Sequence, residues 1–120
     1  MSTAETSAQA TNTHRPQREG RLVTVGRVED VPPGRGATIE LAAGGELALF
    51  HTNTGFYAIE NFCPHRGAAL ADGALDACAV ECALHGWRFD VRTGACMTHT
   101  GADVERYEVI IEKGEIKILV

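Results

Sequence analysis

From Leu22 to Val120 the chain runs in short apolar bursts broken by glycine and proline. LVTVGRV (22–28) gives way to PPGRG, TIEL (38–41) to AAGG, ELALFH (46–51) to NTG, and FYAIE (56–60) follows. Segments of about four to eight residues, rich in Val, Ile, Phe and Tyr and closed by turn formers, predict β-strands joined by tight turns. The signal returns at the end of the chain, where VERYEVII (104–111) and EIKILV (115–120) flank Lys113-Gly114 and predict a closing hairpin. No segment repeats apolar residues at helical spacing over enough turns to make a long amphipathic helix. The predicted fold class is all-β, mostly antiparallel, a sandwich or small barrel. Residues 1–20 differ in kind, being rich in Thr, Ser, Ala and Gln without an apolar period, and read as a flexible polar tail ahead of one domain over 21–120. His14 falls in that tail and reads as a solvated histidine.

With 120 residues, 44% of them hydrophobic and 22% charged, the chain suits a single compact domain with one site. A net charge of -5, with eleven basic residues scattered along the chain, argues against a nucleic-acid partner. No apolar stretch is long enough to span a bilayer, and the first residues lack the apolar core of a signal peptide. The expected location is therefore the cytoplasm, with no membrane partner. In that compartment the four cysteines read as metal ligands or reduced thiols rather than disulfides.

Two short segments carry the chemistry, CPHRG (63–67) and CALHG (82–86). They set Cys63-x-His65 and Cys82-x-x-His85 in separate turns, and two such turns brought face to face enclose a metal. One candidate is a closed tetrahedral zinc site that stabilises a β module for binding a protein partner. The other is a two-iron cluster with the cysteines on one iron and the histidines on the other. Zinc knuckles usually pair like ligands, whereas each loop here supplies one Cys and one His, which favours the cluster. Gly67 and Gly86, just beyond the histidines, let the backbone approach bridging sulfides so that amide groups can donate to them, and Pro64 stiffens its turn.

CPHRG and CALHGWRFDVRTG together resemble the paired motif of Rieske proteins, and the strand pattern of 21–120 is similar to that family throughout. The resemblance implies a three-layered antiparallel β fold with a small cluster-binding subdomain, about residues 60–98, set into a base domain. It also implies one Rieske-type 2Fe-2S cluster, with Cys63 and Cys82 on the inner iron and His65 and His85 on the outer, solvent-facing iron. High-potential respiratory members carry an extra disulfide between the loops, and Ser and Tyr hydroxyls aimed at the cluster sulfurs. Ala68, Leu84, Trp87 and Phe89 stand at those places, so the expected potential is at the low end of the family.

The implied activity is one-electron transfer with no catalytic site in the chain itself, as in a ferredoxin linking a flavin reductase to a terminal oxygenase. CPHRGAAL, HGWRFD and ALFHTNTGFYAIE also resemble the small subunit of NAD(P)H nitrite reductase, whose large subunit would then be the partner. The chain has no G-x-G-x-x-G segment for a nicotinamide or flavin, and no room for a second domain holding a mononuclear iron. Cys78 and Cys96, in DACAV and GACMT, read as buried small residues. His51 and His99 lack the neighbours a second metal would need. Asp90 reads as a structural residue that fixes hydrogen bonds behind the second loop.

Overall fold

The computed structural model describes residues 18–64 and 67–120. Each apolar burst is a strand: β1 (Leu22–Arg27), β2 (Gly36–Glu40), β3 (Glu46–Thr52) and β4 (Gly55–Glu60). Three short strands follow, β5 (Ala74–Asp76), β6 (Ala79–Glu81) and β7 (Arg88–Asp90). The chain ends with β8 (Arg106–Tyr107), β9 (Val109–Glu112) and β10 (Glu115–Leu119). Two three-residue 3-10 turns, Val28–Asp30 and Leu70–Asp72, are the helical segments among the described residues. None of the helical segments described is long and apolar enough to cross a membrane.

Among the described residues all strand pairs are antiparallel and fall into three sheets, ordered β1-β10-β9, β2-β3-β4-β8 and β5-β6-β7. The four-stranded sheet is the middle layer. Leu47, Leu49 and Ala58 pack on one side of it with Ile116 and Ile118 of β10, while Ala48, Phe50 and Ile59 pack on the other with Val80 and Phe89 of the small sheet. A strand covered on both faces has no polar side to show, which is why Leu47–Phe50 reads as an unbroken apolar run rather than an alternation. Each fully buried Leu, Ile or Phe contributes about 1.5–3 kcal/mol. Ile116 and Ile118 alternate with Glu115, Lys117 and Leu119, the signature of a strand buried on one face.

The closing hairpin forms as expected, with Glu112 opposite Glu115 and positive φ at Lys113 (54°) and Gly114 (77°), as a two-residue type I′ turn needs. VERYEVII is not one strand, however. β8 pairs with β4 through Tyr107 and Ala58, whereas β9 pairs with β10 through Ile110 and Lys117, so the chain changes sheets at Glu108. Buried Tyr107 faces the core between the two sheets. Residues 18–20 are tied to the end of the chain: the amides of Glu19 and Gly20 both donate to the carbonyl of Val120, and the Arg18 guanidinium lies over the Tyr107 ring at 4.0 Å.

Candidate metal centre

Cys63 and Cys82 open two loops with the same backbone design. In the first, the amide of Gly67 donates to the carbonyl of Cys63 (2.7 Å) and the amide of Cys63 donates to the carbonyl of Ala68 (2.8 Å). In the second, the amide of Gly86 donates to the carbonyl of Cys82 (3.0 Å) and the amide of Cys82 donates to the carbonyl of Trp87 (2.7 Å). The two glycines have matching left-handed φ values, 73° and 74°, a conformation that side-chain-bearing residues rarely adopt. Their amides are spent on closing the loops. What glycine supplies here is the turn conformation, and the loops correspond by distance from the cysteine rather than from the histidine.

The loops are built differently at their feet. The second is the connection of the β6–β7 hairpin, which pairs Glu81 with Arg88. The first stands on a bridge between Phe62 and Ala69, beyond which the chain enters the 3-10 turn at Leu70. Both cysteines are buried, at 2% and 3% exposure, and belong to one apolar cluster with Leu70, Val80 and Phe89. His85 and Leu84, by contrast, are exposed at the tip of the second loop. His65, the fourth member of the expected ligand set, lies outside the described residues, as does His14. Among the described residues no three His, Cys, Asp or Glu side chains gather as a metal site, so the structure brings together Cys63 and Cys82 and places His85 at the surface beside them in sequence.

The remaining candidates have structural roles. Asp90 accepts from the amide of Arg92 (2.9 Å) and from its guanidinium (3.1 and 3.0 Å), while its own carbonyl takes the amide of Gly94, closing the turn behind β7. Hydrogen bonding to Arg92 holds the Asp90 carboxyl below the usual carboxylate range. His51 donates from Nδ1 to the carbonyl of Val31 (2.7 Å) and stacks on Phe56.

Cys78 and Cys96 correct the expectation of burial, because both are free thiols only half covered by the core. Cys78 sits in the two-residue turn between β5 and β6, 3.5 Å from the Thr54 hydroxyl. Cys96 is within 3.6 Å of the Thr98 hydroxyl. That hydroxyl also accepts from the amide of Arg88 and lies 3.0 Å from Nδ1 of His99, whose ring covers Trp87. The contact of Trp87 with His99 was not legible in the sequence, since the residues stand twelve apart with no periodic signal between them.

Two buried thiols on matched loops, with an exposed imidazole three residues beyond the second, fit a group that takes sulfur on its inner side and nitrogen on its outer side. The Rieske [2Fe-2S] domain family matches residues 21–108 of this chain. The protein belongs to the Rieske family, and its cofactor is a Rieske-type 2Fe-2S cluster. That sets aside the zinc-stabilised module.

Among curated relatives, the chain is 37% identical over 97 residues to the ferredoxin component of the p-cumate 2,3-dioxygenase system of Pseudomonas putida, covering 79% of this chain and 82% of that protein. Among solved structures it is similar to a chain in the complex of reduced oxygenase and oxidised ferredoxin of carbazole 1,9a-dioxygenase, with a TM-score of 0.75, 28% identity, and coverage of 84% of this chain and 94% of the other. It also shares its fold with a nitrite reductase small subunit from Mycobacterium tuberculosis, with a TM-score of 0.76 at 24% identity over 82% of this chain and 93% of the other.

Proposed function

We propose that this protein is the Rieske ferredoxin of a multicomponent oxygenase, a one-electron carrier between a flavin reductase and a terminal oxygenase. The observation that carries the reading is the pair of matched loops that bury Cys63 and Cys82 in one core while leaving His85 exposed. In it, Cys63 and Cys82 hold the inner iron, and His65 and His85 hold the outer iron. Residues of about 60–98 act as the cluster-binding subdomain on the base formed by the two larger sheets. When bound, the cluster supplies one reversible electron at a potential above that of all-cysteine clusters, because two neutral imidazoles replace two thiolates and leave it less negatively charged.

The protein's own contribution is placement. Burial of the cysteines keeps water from the sulfur side, and His85, projecting beside exposed Leu84, gives electrons a short way in and out at the surface. The oxygenase setting is preferred over nitrite reductase because the ferredoxin component of the p-cumate 2,3-dioxygenase system is 37% identical. The nitrite reductase subunit, at 24%, shares the fold alone. The half-buried free thiols Cys78 and Cys96 favour a reducing compartment, the cytoplasm.

The test is anaerobic reduction by NADH through a ferredoxin reductase, followed by reoxidation with a ring-hydroxylating oxygenase. One electron taken up per chain and passed to the oxygenase supports the assignment. Reduction without onward transfer, together with copurification of a siroheme protein, would replace the oxygenase with a nitrite reductase. For the ligands, Cys63→Ser is expected to bleach the protein, and a fully coloured variant would overturn the set.

A further inference from the structure

We infer that Asn61 is a positioning residue for the cluster: its buried amide fixes the first ligand loop to the central sheet and so sets where Cys63 stands relative to Cys82. The inference rests on the ligand assignment above. Asn61 directly follows β4, two residues before Cys63, and is completely buried. Its side-chain nitrogen donates to the Thr38 hydroxyl on β2 (3.1 Å) and to the Glu46 carboxylate on β3 (3.0 Å). Its side-chain oxygen accepts the amide of Ala71 (2.9 Å), and its backbone carbonyl accepts the amide of Leu70 (2.5 Å). Both donor hydrogens are thus engaged, one to each of two neighbouring strands, while both oxygens hold the chain returning from the loop.

Above this neck the closures climb in order to the ligand. Phe62 bridges to Ala69, Cys63 donates to the carbonyl of Ala68, and Gly67 donates back to the carbonyl of Cys63. The first loop is therefore the tip of a short ladder whose foot is Asn61. The second loop grows instead from the β6–β7 hairpin of the small sheet. A cluster held by one cysteine from each loop needs the two supports kept in register, and groups that orient ligands tune a metal site without touching it. The Asn61 side chain thus ties two strands of one sheet and the Ala71 amide of the returning chain to a single buried point two residues from Cys63.

The test is Asn61→Asp in the cluster-loaded protein. The substitution keeps the shape and the acceptor for Ala71, but sets a carboxylate against the Glu46 carboxylate where a donor stood. Losing a buried hydrogen bond of this kind is expected to speed iron release to a chelator by about fivefold to thirtyfold. It is also expected to shift or broaden the g values of the reduced cluster. Adding Glu46→Gln exchanges donor and acceptor across the same contact and is expected to return both readouts toward wild type, a coupling that only neighbours show.

Thr38→Val, at an exposed position, removes one acceptor and gives a milder acceleration even where Asn61→Asp does not fold. Wild-type g values and an iron-release rate within twofold of wild type in the foldable variants would overturn the proposal, and so would an Asn61→Asp defect that Glu46→Gln leaves unrelieved. A wild-type protein without the mixed-ligand cluster signal would instead overturn the ligand assignment on which the proposal rests.

Discussion

The imidazole of His99 lies flat on the indole of Trp87, with 3.7 Å between ring centroids and 16° between ring planes. Trp87 is the first residue beyond the His85-Gly86 turn, so the stack braces the exit of the second loop with a segment from beyond β7. Stacked ring pairs contribute about 0.5–1.5 kcal/mol beyond their buried area. His99→Ala is expected to lose that much in thermal unfolding and to raise iron release, while His99→Phe keeps most of both. Equal melting of wild type and His99→Ala would show that the stack does not support the loop.

Phe89 is fully buried in the apolar cluster that contains both cysteines. The family resemblance puts at this position the hydroxyl that high-potential members aim at a cluster sulfur. Phe89→Tyr is expected to raise the midpoint potential, because a donor to sulfur stabilises the more negative reduced state. A hydrogen bond of about 1 kcal/mol corresponds to about 40 mV for a one-electron couple. The added oxygen must also be fitted into a packed core, at a cost of about 1–3 kcal/mol. A redox titration showing an unchanged or lower potential would mean that position 89 does not face the cluster.

Arg92 holds the Asp90 carboxyl below its ordinary range, which links the turn behind β7 to pH. A carboxyl with a depressed folded pKa stabilises the protein above its unfolded value of about 3.9 and loses that contribution as pH falls through the lower folded value. Asp90→Asn is therefore expected to be less stable than wild type near pH 7, with the difference shrinking below about pH 4. Thermal unfolding of both proteins across that range checks it, and a difference that stays constant with pH would remove the ion pair as its cause.

How much of this was legible in the sequence depends on the length of the signal. The bursts LVTVGR, ELALFHT and GFYAIE are long enough to declare strands, and the strands are there. The small sheet was not declared, since ALD, AVE and RFD are each three residues long and cannot show an alternation. VERYEVII kept its strand character across Glu108 while its partner changed, and hydrophobic pattern is blind to which sheet a strand joins. At the site, the motif announced both cysteines as a pair. The histidines sit at different distances from them, so the likeness of the two loops lay hidden in the glycines, each four residues beyond its cysteine and each at φ near 73–74°. No motif or period in the sequence singles out Asn61. Its importance comes from Thr38, Glu46, Leu70 and Ala71, which only the folded chain brings to it.

The proposed ligands of the one 2Fe-2S cluster are Cys63 and Cys82 with His65 and His85. Electron paramagnetic resonance before and after dithionite reduction tests this assignment most directly, with iron and acid-labile sulfide quantified on the same sample. The account predicts a signal that appears only on reduction, with the low average g value of mixed nitrogen and sulfur ligation, and two irons and two sulfides per chain. A reduced protein with the g values of an all-cysteine cluster, or an anaerobically reconstituted protein that holds one zinc and stays colourless, would contradict it.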